Sequence, residues 1–182
     1  ARPARVTPPP VSAQGPGRSP TRRNVQIGLS TGSRSTRRDA STAGVRLMGF
    51  SAAQDDSTVT VGGVPVHVFS THLDYANTSY RTAQLLDMMD WTEKFGARRI
   101  VAGDFNSTPG TYWINTMTGD YYDTWTEVTG SSSGGGTING VRFDYQFRSK
   151  LGSDDVTPIK VYLGTTTLSD HKPVIADYTV RP

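Results

Sequence analysis

Apolar positions are sparse in the first fifty residues and become periodic only afterwards. Ser57–Val61 and Val64–Leu73 are rich in Val and Thr, residue types that suit a pleated, half-buried strand. Gly62-Gly63 between them predicts a two-residue hairpin turn. A period of two puts Val64, Val66, Val68, Ser70 and His72 on one strand face and His67 on the other. Residues 79–95 carry Leu85, Met88 and Met89 at helical spacing, with Ser79 in the position of an N-cap. Arg99–Gly103 is a short apolar run that fits a buried strand and ends in Asp104. Thr111–Met117 predicts a helical turn, and Ser131–Gly136 reads as a flexible Ser/Gly loop. Val141–Phe147, Val156–Leu163 and Val174–Val180 read as three more strands. The pattern is that of an α/β chain in which strands dominate beside one clear helix.

Composition divides the chain. In residues 1–50, Arg, Pro, Ser, Thr and Gly fill 32 positions, and Val6, Val11 and Val25 are the only larger apolar residues before Ile27, proline aside. Such a stretch buries too little surface to offset the roughly 1–2 kcal/mol per residue of backbone ordering, so order is expected to begin near Ser57. Residues 1–50 hold nine Arg, no Lys and one acid, a net +8, whereas residues 51–182 hold ten basic and fifteen acidic residues, a net −5. The overall +3 and pI of 9.3 therefore describe neither part. Two units follow: a basic segment over 1–50, disordered or non-native, and a domain over 51–182. For the segment three readings stand: an Arg-rich arm for phosphates or anionic membranes, a disordered linker, or a stretch of GC-rich DNA translated out of frame.

The absence of cysteine excludes a disulfide framework, a thiol nucleophile and a thiolate-bound metal. No apolar run approaches the ~20 residues of a membrane-spanning helix. The chain opens on Ala1 with no signal-peptide pattern, which is the expectation for a processed or partial product and leaves its compartment open.

Four segments put polar residues at the ends of apolar strands: Ser70-Thr71-His72-Leu73, Gly103-Asp104-Phe105-Asn106, Arg142-Phe143-Asp144-Tyr145 and Ser169-Asp170-His171-Lys172-Pro173. Singly, each fits an ordinary turn or a structural histidine. Together and in this order they resemble the endonuclease/exonuclease/phosphatase superfamily with its DNase I-like fold, over roughly residues 57–180. Arg81 and Gln84 also resemble the R-x-x-Q of that family's following helix. The resemblance implies part of a four-layer α-β-β-α sandwich behind an irregular N-terminal segment.

It further implies a phosphoesterase that works through an activated water. His171 would take a proton from, or orient, the attacking water, and Asp144 would fix the tautomer of the imidazole and raise its basicity. Asp104 would hold the water or share in metal binding. Asn106 would donate to the scissile phosphate, and His72 would hydrogen-bond a phosphoryl oxygen or assist the leaving group. Asp170, with Asp104, would ligate Mg²⁺ or Mn²⁺, hard cations that prefer oxygen donors. The substrate class stays open among nucleic acid, a phospholipid headgroup and an inositol phosphate. His67, Asp55-Asp56, Asp87, Asp90 and Asp154-Asp155 read as surface or packing positions, Asp74 and Tyr75 as mouth or loop residues, and Trp91, Trp113 and Trp125 as core or rim aromatics.

Two family features are missing. The only glutamates, Glu93 and Glu127, follow His72, so neither matches the family's metal-binding Glu by chain order. Asn24 in Arg-Arg-Asn-Val-Gln-Ile resembles the first motif only by coincidence. The expectation is a truncated or frame-disrupted copy with impaired activity, marginally folded because the inner face of its sheet is left bare. The alternative is a non-catalytic binding module with a basic arm on a degenerate hydrolase fold.

Overall fold

The hairpin expected around Gly62-Gly63 forms between β3 (Asp55–Val61) and β4 (Val64–His72), with Val61 paired to Val64 across the turn. The structure, a computed structural model, describes residues 23–29, 44–47 and 55–181. After β4 come α1 (Thr78–Thr92), a 3₁₀ turn over Glu93–Phe95, β5 (Arg99–Asp104), α2 (Tyr112–Asp120), β6 (Tyr121–Asp123) and α3 (Thr124–Thr129). The remainder supplies β7 (Asp144–Ser149), β8 (Val156–Leu163) and β9 (Val174–Val180). One sheet has the order β3-β4-β5-β7-β6.

Alternation along β4 separates two cores. Val66 and Val68 face one side, where they pack with Ile100 and Ala102 against Val156, Ala176, Tyr178 and Val180 of the second sheet. Phe69 faces the other side with Val101 and Phe147, under Leu85, Met88, Met89, Ile114 and Met117 of the helices. The three residues picked out by helical spacing are thus the apolar residues α1 buries, each worth ~1.5–3 kcal/mol of transfer free energy. Trp91 and Trp113 sit half-buried at the rim of this second core, and Asp87 and Asp90 are exposed.

Several expectations change. The second sheet is present, in the order β2-β1-β9-β8, where β1 is Arg23–Leu29 and β2 is Gly44–Leu47. Order therefore does not begin at Ser57. Val25, Ile27 and Leu29 alternate at the strand period, a short signal lost among arginines, and β9 supplies β1 with a full antiparallel partner. The inner face of the five-stranded sheet is covered by β8 and β9 rather than left bare. The rest of residues 1–50, and hence its reading as an arm, a linker or a frame error, lies outside the described residues. Among the described residues the layers are helices, sheet and sheet, in keeping with the expected part of a four-layer α-β-β-α sandwich.

The N-cap of α1 is Asn77 rather than Ser79, its Oδ1 accepting from the backbone N–H of Ser79 and Tyr80 at 2.9 and 3.1 Å. Residues 131–136 are held in place: Trp125 Nε1 donates to the Ser133 carbonyl at 3.2 Å, and Arg142 Nη2 donates to Ser132 at 3.1 Å. Gly135 lies against the Trp125 ring so closely that a Cβ there would stand 2.7 Å from it. The glycines of this loop serve close approach, not freedom. The seventh strand begins at Asp144 instead of Val141, because Ile138 and Val141 close a separate tight turn on Asn139-Gly140, both at positive φ.

Beside β7, Arg142 forms a bidentate pair with Asp123, at 3.2 Å from Nη1 and 2.8 Å from Nη2, with both side chains buried. Removing one partner strands a buried charge, so Asp123→Ala is expected to cost about 3–5 kcal/mol. Urea denaturation monitored by tryptophan fluorescence reads that loss directly.

Candidate active site

Strand pairing builds the site. Parallel pairing of β4 with β5 sets His72 opposite Asp104, and antiparallel pairing of β5 with β7 sets Asp104 opposite Asp144. Three residues from three sequence segments thereby stand in one row across one end of the sheet. The approach of β4 to β5 at this end is close: Gly103 has φ +151°, and a Cβ on it would meet the Thr71 carbonyl oxygen at 1.9 Å. Only glycine fits there.

His171 joins the row from the loop that leads into β9 of the other sheet. Its Nδ1 lies 2.7 Å from Asp144 Oδ2 and 3.9 Å from Asp104 Oδ2. His72 Nε2 is 3.5 Å from the same Asp104 oxygen. One buried carboxylate therefore lies between two imidazoles, of which the His72 side chain is 47% exposed and that of His171 18% exposed. Asn106, at φ +46°, donates from its backbone N–H to Asp104 Oδ1 at 2.8 Å. Its Nδ2 donates to the Leu73 carbonyl at 2.7 Å, which ties the loop after β5 to the loop after β4.

The Arg81 and Gln84 pair anchors that second loop. Arg81 Nε donates to the Asp74 carbonyl at 2.6 Å and Nη2 to the Tyr75 carbonyl, while Gln84 Oε1 accepts from the Asp74 N–H at 2.7 Å. Asp74 Oδ1 accepts in turn from the N–H of Ala76 and Asn77.

Thr137, which motif reading passed over, is fully buried behind the site. Its hydroxyl accepts from the Phe143 N–H at 3.2 Å and from the Asp144 N–H at 3.4 Å, and its carbonyl accepts from the Lys172 N–H at 2.8 Å. It fixes both partners of the His171–Asp144 pair. Its place in a Ser/Gly-rich run hid it.

Burial pushes the Asp144 carboxyl above its ordinary value, with the Asp104 charge adding to it, against the opposing bonds from Thr137 and His171. Burial of the His171 ring works against its charged form, but Asp144, Asp104 and Asp170 outweigh that, and its pKa stands above the usual imidazole value. Asp104, Asp144 and His171 present donor atoms within 4.8 Å of one another. Asp170 lies outside that group and is exposed. His171 Nδ1 engages Asp144 at 2.7 Å, which leaves Asp104, itself accepting from the Asn106 N–H, as the carboxylate of that group open to a cation. Mg²⁺ commonly takes one or two carboxylates and completes its shell with water and substrate phosphate, and this donor set fits it.

A mixed sandwich with such a row of His, Asp, Asp and His at one sheet end has the fold of the endonuclease/exonuclease/phosphatase proteins. Among solved structures the chain is similar to one of that family from Bacteroides vulgatus, at 20% identity and a TM-score of 0.56, covering 66% of this chain and 51% of that one. It is likewise similar to the human Nocturnin catalytic domain, at 20% identity and TM-score 0.57, covering 69% and 51%. A third is a humanized D. rerio TDP2, at 23% identity and TM-score 0.55, covering 68% and 58%. The chain thus spans little more than half the length of these structures. No family model matches it, and no curated protein matches it in sequence.

Proposed function

We propose that the chain is a metal-dependent phosphoesterase that hydrolyses a phosphate ester with a water activated at His171. The observation that carries this is the 2.7 Å bond from His171 Nδ1 to Asp144, with Asp104 beside both. Asp144 accepts a hydrogen bond from Nδ1–H, which holds the tautomer with Nε2 unprotonated. Nε2 takes a proton from water as the water oxygen bonds to phosphorus and the ester P–O bond breaks. His72 and Asn106 hold the phosphoryl oxygens, and His72, the more exposed imidazole, hydrogen-bonds the departing oxygen. Mg²⁺ or Mn²⁺, held by Asp104 and Asp170, would supply charge to the phosphoryl group. The shared fold with Nocturnin, TDP2 and the Bacteroides protein supports this reading.

Turnover by these 182 residues is expected to be slow, since no glutamate precedes His72 to share the cation. Release of p-nitrophenol from bis(p-nitrophenyl) phosphate tests both statements. Slow release with Mg²⁺ or Mn²⁺ that EDTA abolishes is the expected result. No release with either metal contradicts the phosphoesterase reading, and rapid release contradicts the impairment. The frame-disrupted copy rests on composition alone. A Gln-Glu segment in another reading frame of the coding DNA before Ser57 would support it, and its lack in every frame would sink it.

A further inference from the structure

Among the described residues three tyrosines are more than half exposed, and all three belong to the segments that leave the catalytic end of the sheet. Tyr75 is 79% exposed and stands three residues after His72. Tyr80, 63% exposed, is in the first turn of α1, and Tyr112, 57% exposed, is the first residue of α2. Both helices start from the ends of β4 and β5, where His72 pairs with Asp104. One buried side chain ties the three tyrosine segments together. Arg81, 8% exposed, donates to the Tyr75 carbonyl, adjoins Tyr80, and lays its guanidinium 4.6 Å from the centre of the Trp113 ring, next to Tyr112. Trp113 Nε1 in turn donates to Thr82 at 3.0 Å. The loop carrying Tyr75 is thus fixed by hydrogen bonds that Arg81 donates and that Gln84 and Asp74 accept, yet it presents its largest side chain to solvent.

We propose that Tyr75, Tyr80 and Tyr112 form a stacking platform beside the active site that selects phosphodiesters carrying unpaired nucleobases. A rigidly mounted, exposed ring loses little entropy when a planar group stacks on it, and single-stranded nucleic acids are bound by aromatic side chains in this way. A bilayer fits less well. Membrane-lying surfaces join Trp, Phe and Leu to several Lys and Arg, whereas this rim offers one exposed leucine, Leu168, and sets exposed Asp170 beside Lys172. Paired bases do not offer their faces, so the platform discriminates against duplex.

The proposal builds on the phosphoesterase reading for the position of the phosphate, but its test does not depend on turnover. The full chain is titrated with fluorescein-labelled (dT)₈ in EDTA and about 0.5 M salt, which screens the nine arginines of residues 1–50. Tyr75→Ala is expected to weaken binding roughly tenfold, Tyr75→Phe to retain it, and the matching duplex to bind more weakly. Tyr80→Ala and Tyr112→Ala each weaken it as well. Equal affinity of the three alanine variants and the parent overturns the proposal, as does no detectable binding of (dT)₈. Equal affinity for duplex, or binding of phosphatidylcholine–phosphatidylserine vesicles in place of the oligonucleotide, also overturns it. Metal-supported release of p-nitrophenol with no effect of the tyrosine variants on (dT)₈ binding would remove the platform and leave the phosphoesterase standing.

Discussion

His171→Ala is expected to lower metal-supported phosphodiester hydrolysis by roughly 10²–10⁴-fold while leaving the chain folded. The side chain sits on a loop at the rim of the sandwich, outside both apolar cores, so its loss opens no cavity within them. It does remove the imidazole partner of the buried Asp144, whose backbone N–H keeps its bond to Thr137. Steady-state rates with thermal melts of both proteins separate the chemical loss from unfolding. Asp144→Asn acts on the same base from behind. Asp144 is the foremost of the charges that raise the His171 pKa, so the ring should titrate at lower pH in that variant. The sign for stability follows. The charged ring contributes stability that is full below its unfolded value of about 6.5 and is lost as pH rises through the raised folded value. Catalysis runs the other way, because only the neutral ring accepts a proton.

Gly103→Ala is expected to destabilise the fold by about 4 kcal/mol or more, a large share of a typical domain's stability. Its Cβ would stand 1.9 Å from the Thr71 carbonyl oxygen and 2.8 Å from the carbonyl carbon, and backbone in a sheet cannot swing aside as a flexible side chain does. The φ of +151° adds strain for any L-residue. The His72–Asp104 register lies one residue further along, so activity should fall with stability. Urea denaturation measures the effect. Ala at the exposed, unobstructed Gly63 is the control for φ alone, since nothing lies within 4 Å of its position at φ +88°.

Much of this arrangement could be read from the chain because local rules governed it. Alternation along Val64–His72 and helical spacing of Leu85, Met88 and Met89 marked the faces that the two cores bury. The site residues were legible as motifs, yet their convergence was not, since a 2.7 Å contact between Asp144 and His171 joins positions 27 residues apart through two different sheets. Thr137 carried no signal, because its role depends on the fold placing it behind Asp144. Asn77 displaced Ser79 as the cap through the turn that Asp74 imposes just before it. Strand β1 was hidden for a compositional reason, its three alternating apolar residues being set among Arg, Ser, Thr and Gly. Asn24, read as a chance match to the family's first motif, pairs with Thr179, whereas Gly28 pairs with Ile175 near the His171 loop, so Asn24 stands toward the end of β1 away from the site.

The claim that His171 is the proton acceptor is tested most directly by following its imidazole titration by NMR alongside the pH–rate profile of metal-supported hydrolysis. The account predicts a rate that rises with pH on the same midpoint as the ring, with both midpoints moving down together in Asp144→Asn. A rate that shows no inflection where His171 titrates, or that keeps its profile when Asp144→Asn shifts the ring, would contradict it.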